Sequence, residues 1–275
     1  GDKAFIEKVY GASIDYLKLW EIGENNLVVH REGSWDWPDW GNKADMTAIE
    51  NAWVYYALSA TEKMANVLGK DEDNSFITER KEAIEKGYQA LWTEEGFKSE
   101  DAKNPDDKEQ YDTIKNVLTT TQNSSPYMEY YVLEALCEMG EYDLAKDRIK
   151  DRYEDMVGKD YSTLWEFWDA WRGTKNHAWS GGPLVIMSKH FAGITPLTAS
   201  YEKVKIDPQY TLSDSMSCTV PSVKGLISLD YEKSDNYTIN LTLPQDMNAV
   251  LYVPNDAVVN INSQIYYQNG KYVNN

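Results

Sequence analysis

Cysteine is nearly missing from this chain, histidine is scarce, and long apolar runs are absent. The two cysteines, Cys137 and Cys218, stand far apart in sequence, which rules out a disulfide framework and leaves one bridge or two free thiols. Cys137 falls on an apolar helical stripe, an ordinary place for a small buried thiol. The three histidines, His30, His177 and His190, lack metal-ligand spacing, and no zinc pattern stands near them, so no resident metal or other cofactor is expected. Neither a glycine-rich phosphate loop nor a Gly-x-Ser-x-Gly elbow is present. No apolar run approaches the ~20 residues that span a bilayer, and no basic-then-apolar leader opens the chain, which therefore reads as soluble. Basic residues are in deficit: 27 against 45 acidic ones leave a net charge of −18, which repels phosphate backbones and anionic headgroups. Nucleic acid and membrane partners are discounted on that ground. The first residues, Gly1-Asp2-Lys3, lead straight into a helical pattern without a methionine, so a processed end with further sequence upstream is the expectation.

The 275 residues allow one large domain or two ordinary ones. Apolar residues at Phe5, Val9, Ala12, Tyr16 and Trp20 predict a first helix. A second starts near Asp45 or Thr47, with Thr47 and Glu50 as a capping box, and runs through Ile49, Trp53, Tyr56, Ala60 and Met64 to Gly69. A third spans about Ser75 to Trp92, and a weaker one about Tyr111 to Leu118. Ser125 as cap, Pro126 at the first helical position and Gly140 as stop frame the clearest helix, and Tyr142 to Met156 repeats the pattern. A last helix runs from about Pro183 to Phe191. Paired helices with short glycine-ended turns read as stacked helical hairpins. After Pro196 the period changes to two: Tyr237, Ile239, Leu241 and Leu243 share one face, and Asn269-Gly270 marks a hairpin turn. The expected division is a helical region over 1–198 and a small antiparallel β-sandwich over 199–275.

What is abundant is tryptophan beside carboxylate. Seven of the ten tryptophans fall in two stretches, "REGSWDWPDWGNKAD" from residue 31 and "STLWEFWDAWRGTKNHAWSGGP" from residue 162. Indole faces suit the C–H faces of sugars, while carboxylates and amides meet the hydroxyls. Glycosidic hydrolysis also needs two carboxyl groups, one acid and one base or nucleophile. The plainer reading of Trp165, Trp168 and Trp171 is core aromatics of a turn and short helix, and that of Glu166 is a solvated glutamate or one paired with Arg172. On the functional reading, the rings around Glu166 would raise its pKa. His190, in a helix's last turn, reads as a capping histidine.

These stretches, with "NSSPYMEYYVLEALCEMGEYDLAKDRIKDRYEDMV" and the β tail, resemble the C-terminal part of glycoside hydrolase family 78, the α-L-rhamnosidases, over nearly the whole chain. The resemblance implies the later part of a six-hairpin (α/α)6 barrel over 1–198 followed by the C-terminal β-sandwich. It also implies cofactor-free inverting hydrolysis of terminal α-L-rhamnosides. Glu166 in "TLWE" matches the general base. Asp36-Trp37 and Asp39-Trp40 both compete for the family's Asp-Trp motif, with Asp39-Trp40-Gly41 preferred. His177 in "NHAW" matches the histidine near the sugar, with Trp179 beside it and Trp35 as a further wall. The family's general acid lies in an Asp-Glu-Arg-Leu-Gly-Trp type motif, which this sequence does not contain. The chain is therefore expected to be catalytically weak alone, and half a barrel would leave apolar faces for self-association or for an N-terminal part to cover. A periplasmic or extracellular location is implied by the resemblance. A non-catalytic carbohydrate-binding protein and a six-hairpin glycosidase for another terminal sugar are the alternatives; sequence upstream of Gly1 and competition by monosaccharides separate them.

Overall fold

A computed structural model describes residues 2–31, 33, 39, 46–93, 96–97, 108–158, 161–254, 258–261, 264–268 and 271–272. The chain divides into two compact units, Gly1–Gly182 and Pro183–Asn275. The first holds helices α1 (Lys3–Lys18), α2 (Met46–Leu68), α3 (Asn74–Ala90), α4 (Lys108–Thr120), α5 (Glu129–Glu138) and α6 (Tyr142–Val157), with a two-residue β-hairpin, β1 (Trp92–Thr93) and β2 (Gly96–Phe97), after α3. Asp2 caps α1 by accepting the Phe5 N–H at 3.1 Å. α2 and α5 stop before Gly69 and Gly140, both at positive φ.

Packing follows helical spacing, but not always along the stripe the sequence suggests. Tyr10, Ile14 and Leu17 of α1 are buried, whereas Phe5 and Tyr16 remain exposed. On α2 the buried row is Ala48, Val54, Leu58 and Ala65, and Tyr56 is exposed. Helices with apolar residues on two faces leave the sequence unable to say which face meets its neighbour. The α1–α3 core joins these rows with Ile77, Ile84 and Tyr88 of α3. Thr47 lies inside α2 rather than capping it, and Glu50 faces His30, whose Nδ1 stands 3.1 Å from Oε2. Asn51, fully buried, fastens the chain preceding the tryptophan stretch: its Oδ1 accepts the Val28 N–H at 2.8 Å and its amide donates to the Thr47 carbonyl at 2.7 Å.

In the second unit, α7 (Gly182–Ile186) starts at the boundary and passes into a π-helical turn, Met187–Phe191. Strands β5 (Ser215–Ser222), β6 (Gly225–Lys233) and β7 (Tyr237–Thr242) form an antiparallel meander. β3 (Ile194–Pro196), β4 (Lys203–Ile206) and β8 (Asn248–Leu251) form a second sheet, in which β4 and β8 run parallel, so the meander lies inside a crossover. β9 (Val259–Ile261), β10 (Gln264–Gln268) and β11 (Lys271–Tyr272) complete the unit. Ile239 and Leu241 of the alternating run pack on Val204, Ile206, Ile227 and Leu229, as strand periodicity predicts. The β10–β11 register pairs Gln268 with Lys271, and the Asn269-Gly270 turn itself lies outside the described residues. Cys137 is buried and Cys218 half-buried, and no disulfide joins the two. Among the described residues no helix is long and apolar enough to cross a membrane.

Candidate active site

Residues 161–177 form no helix; they fold into a loop that hydrogen-bonds across itself. The Glu166 N–H donates to the Thr174 carbonyl, and the His177 N–H to the Leu164 carbonyl, each at 3.0 Å. The Thr163 hydroxyl donates to the Lys175 carbonyl, and Ser180 donates to that of Trp165. Trp165, fully buried against Tyr153 and Met156, anchors the loop, while Trp171 is 84% exposed. Three-residue spacing thus carries one core residue, the half-buried Trp168 and one surface residue, not a packed helix face. Gly173 makes the crossing possible: its φ is 58°, and a Cβ there would lie 2.6 Å from Phe167 and 2.7 Å from Glu166 Oε2.

Glu166 and His177 are brought together across this loop. Glu166 Oε2 accepts the Thr174 N–H at 3.0 Å and its hydroxyl at 3.1 Å, with His177 Nδ1 3.7 Å away. The Thr174 oxygen also lies 2.7 Å from His177 Nδ1. Both contacts are met when Nδ1–H donates to Thr174 and the hydroxyl donates to Glu166, an assignment that leaves His177 Nε2 as an acceptor. The imidazole packs tilted against Trp179, 4.1 Å between centroids, and Trp179 meets Tyr127 at 5.4 Å.

The Glu166 carboxyl is held below the ordinary glutamate range, chiefly by the Thr174 N–H; burial opposes this as the next effect, and the Thr174 hydroxyl and the nearby His177 add smaller lowering contributions. The rings around it were expected to raise the pKa. Burial does push it upward, but the Thr174 N–H, at the polar crossing of the loop to which the carboxylate points, outweighs it. Arg172 pairs with Asp169 at 2.8 Å rather than with Glu166.

Of the other stretch, Asp39 alone among the predicted residues is described; Trp35, Asp36, Trp37 and Trp40 lie outside the described residues. Asp39 reaches the turn ahead of α5: its Oδ2 accepts the Ser125 N–H at 3.0 Å, and its Oδ1 accepts the Ser125 hydroxyl. Ser125 itself accepts the Met128 N–H at 3.3 Å, the capping contact read from the sequence, although Pro126 to Met128 form a turn and α5 begins at Glu129. Sequence reasoning missed Thr174, Tyr127 and a buried cluster of Glu129, Arg148 and Arg152. The signal was there in the charged residues interrupting the apolar rows of α5 and α6. A cavity of about 520 Å³ lined by Glu21, Ile22, Phe76, Glu79, Arg80 and Ala83 shares no residue with the loop. No group of metal-ligating side chains occurs among the described residues.

Residues 1–125 match the family model of the bacterial alpha-L-rhamnosidase six-hairpin glycosidase domain, and residues 193–268 that of the bacterial alpha-L-rhamnosidase C-terminal domain. An alpha-L-rhamnosidase of Formosa agariphila is 22% identical over 305 aligned residues, covering 93% of this chain and 32% of that protein. The crystal structure of an alpha-L-rhamnosidase from Streptomyces avermitilis complexed with L-rhamnose is similar with a TM-score of 0.79 and 20% identity over 94% of this chain and 28% of the other. That of Dictyoglumus thermophilum gives 0.80 and 18% over 98% and 35%. A family 78 rhamnosidase of Bacillus sp. GL1 gives 0.76 and 19% over 92% and 31%. At these identities the structures establish the fold, helical hairpins followed by a C-terminal β domain. The chain spans about a third of the length of the curated relative it matches, 32%.

Proposed function

We propose, from the premise that this chain belongs to the bacterial α-L-rhamnosidases by both its helical-hairpin and its C-terminal matches, that it carries the base side of an inverting site for terminal α-L-rhamnosides. Glu166 is the general base. Its depressed pKa keeps it ionised at neutral pH, and one oxygen, Oε2, is committed to Thr174, leaving Oε1 for the attacking water. His177 and Trp179 contact the sugar, the first through Nε2 and the second through its ring. Asp36, Trp37, Asp39, Trp40 and Trp35 form the facing wall; Asp39 keeps spare lone pairs after its bonds to Ser125.

The observation that carries this reading is the pairing of Glu166 with His177 through Thr174 beside the Trp179 ring. An inverting site needs a second carboxyl about 6.5–9.5 Å from the base to protonate the leaving oxygen. The motif that holds it in this family is missing from the sequence, so the chain by itself is a weak catalyst. The test is hydrolysis of an aryl α-L-rhamnoside with and without Glu166→Gln, alongside calorimetric titration with L-rhamnose. Binding of rhamnose in preference to other monosaccharides supports the site. Indifference to rhamnose removes the substrate assignment.

A further inference from the structure

Glu129, at the start of α5, is 0% exposed, and a carboxylate without water is tolerated only when its charge and lone pairs are met. Arg148 donates Nε to Oε1 and Nη2 to Oε2, the latter at 3.1 Å, and the Ser124 hydroxyl also donates to Oε2. Arg152 stands 3.8 Å from Oε2, and the two guanidinium groups, one turn apart on α6, are 8% and 5% exposed. Neither arginine stops at Glu129. Arg148 Nη1 donates to the carbonyls of Leu118 and Thr121 at 2.7 and 2.8 Å, which fixes the end of α4. Arg152 donates to the Ser124 carbonyl at 2.7 Å and lies 4.0 Å over the Trp168 ring. Trp168 donates its indole N–H to that same carbonyl at 2.7 Å. The next residue, Ser125, holds Asp39.

Ser124-Ser125 is therefore where both tryptophan–carboxylate stretches are fastened, one through Asp39 and the other through Trp168. We propose that Glu129, with Arg148 and Arg152, is the positioning device of the site: it fixes Ser124-Ser125 and so sets Asp39 against the Glu166 loop, without touching sugar. The sugar part of this inference depends on the reading of the two stretches as walls of one site; the mechanical part does not. A buried ion cluster is a poor source of stability compared with apolar packing of equal volume, but its fork-shaped bonds impose directions that apolar packing does not.

The test uses the chain labelled with ¹⁵N at its tryptophan indoles and read at a temperature well below unfolding. Glu129→Gln should shift the Trp168 signal and also that of Trp40, the residue after Asp39, while Trp20 and Trp92 stay in place as controls. Ser125→Ala should move the Trp168 signal, and Trp168→Phe the Trp40 signal; these two carry the test should Glu129→Gln not fold. Independent responses, with Trp168 unmoved by Ser125→Ala and Trp40 unmoved by Trp168→Phe, overturn the proposal. In parallel, L-rhamnose should bind Ser125→Ala and Trp168→Phe about tenfold more weakly than the parent chain. Where the parent chain binds rhamnose, equal affinity in the variants also overturns positioning. Coupled indole signals in a parent chain that ignores rhamnose uphold the positioning device and reject the substrate reading instead.

Discussion

Thr174 gives both of its donors to one oxygen of Glu166, and that bond set fixes the sign of the pH response. A carboxyl whose folded pKa is depressed contributes stability above the unfolded value, ordinarily 4.5, and loses it as pH falls through the folded one. The window accordingly lies below the usual glutamate range, and Glu166 is ionised throughout neutral pH. Thr174→Val removes the hydroxyl and keeps the N–H, so the Glu166 side-chain titration, followed by carboxyl ¹³C NMR, should move upward toward 4.5 without reaching it. An unmoved titration would mean that the hydroxyl is aimed at His177 instead. Gly173→Ala acts on the same crossing. The left-handed backbone costs an L-residue about 1–2 kcal/mol, and the added Cβ would also crowd Glu166 Oε2, so thermal unfolding should show at least that loss. Glu166 was singled out in the sequence by its aromatic neighbours and by the resemblance, and His177 by the resemblance alone; the structure brings the two together. Thr174 was not legible, because a loop that returns over eight residues leaves no period in the sequence.

Periodicity resolved where the elements lie better than which way they face. α6 buries Ala145, Ile149, Tyr153 and Met156 of its predicted row and leaves Tyr142 half-buried, and Ile239 and Leu241 of the β7 alternation join the second core while Tyr237 is exposed. α1 and α2 each have two apolar rows, and the buried one was not the one the spacing picked out. The segment from 161 to 177 was read as a turn with a short helix and is a loop with a buried anchor. Its energetics separate two residues that look alike in sequence. Trp165→Ala empties a site with no solvent access and should cost about 3–5 kcal/mol. Trp171→Ala, 84% exposed, should fall within about 0.5 kcal/mol of the parent. Chemical denaturation of the pair checks this, and equal losses would mean that Trp171 packs against something beyond its own loop. The Glu129 cluster escaped the sequence reading for a different reason. Charges on an apolar row look like a break in the pattern until α4, α6 and the Trp168 loop are seen to converge on them.

For the whole molecule the balance between two carboxyl groups decides what hydrolysis to expect. Inversion in one displacement needs water activated on one side of the sugar and the leaving oxygen protonated on the other. On the proposed reading Glu166, ionised and hydrogen-bonded at neutral pH, is suited to the first need and is the wrong protonation state for the second. General acid assistance is worth about 10²–10⁴ in rate, so a site lacking it should turn over an aryl α-L-rhamnoside slower by that factor than one with both groups. An activated aryl leaving group, which needs less protonation, should narrow the gap, and an alkyl rhamnoside should widen it. The chain spans 32% of its curated relative, and the comparison to make is between this chain and the same chain extended upstream to include an Asp-Glu-Arg-Leu-Gly-Trp type motif. Extension should raise the alkyl rhamnoside rate more than the aryl one, and Glu166→Gln should abolish both. Equal rates with and without extension, still sensitive to Glu166→Gln, would place the acid among the carboxylates of this chain, with Asp36 and Asp39 the first to replace.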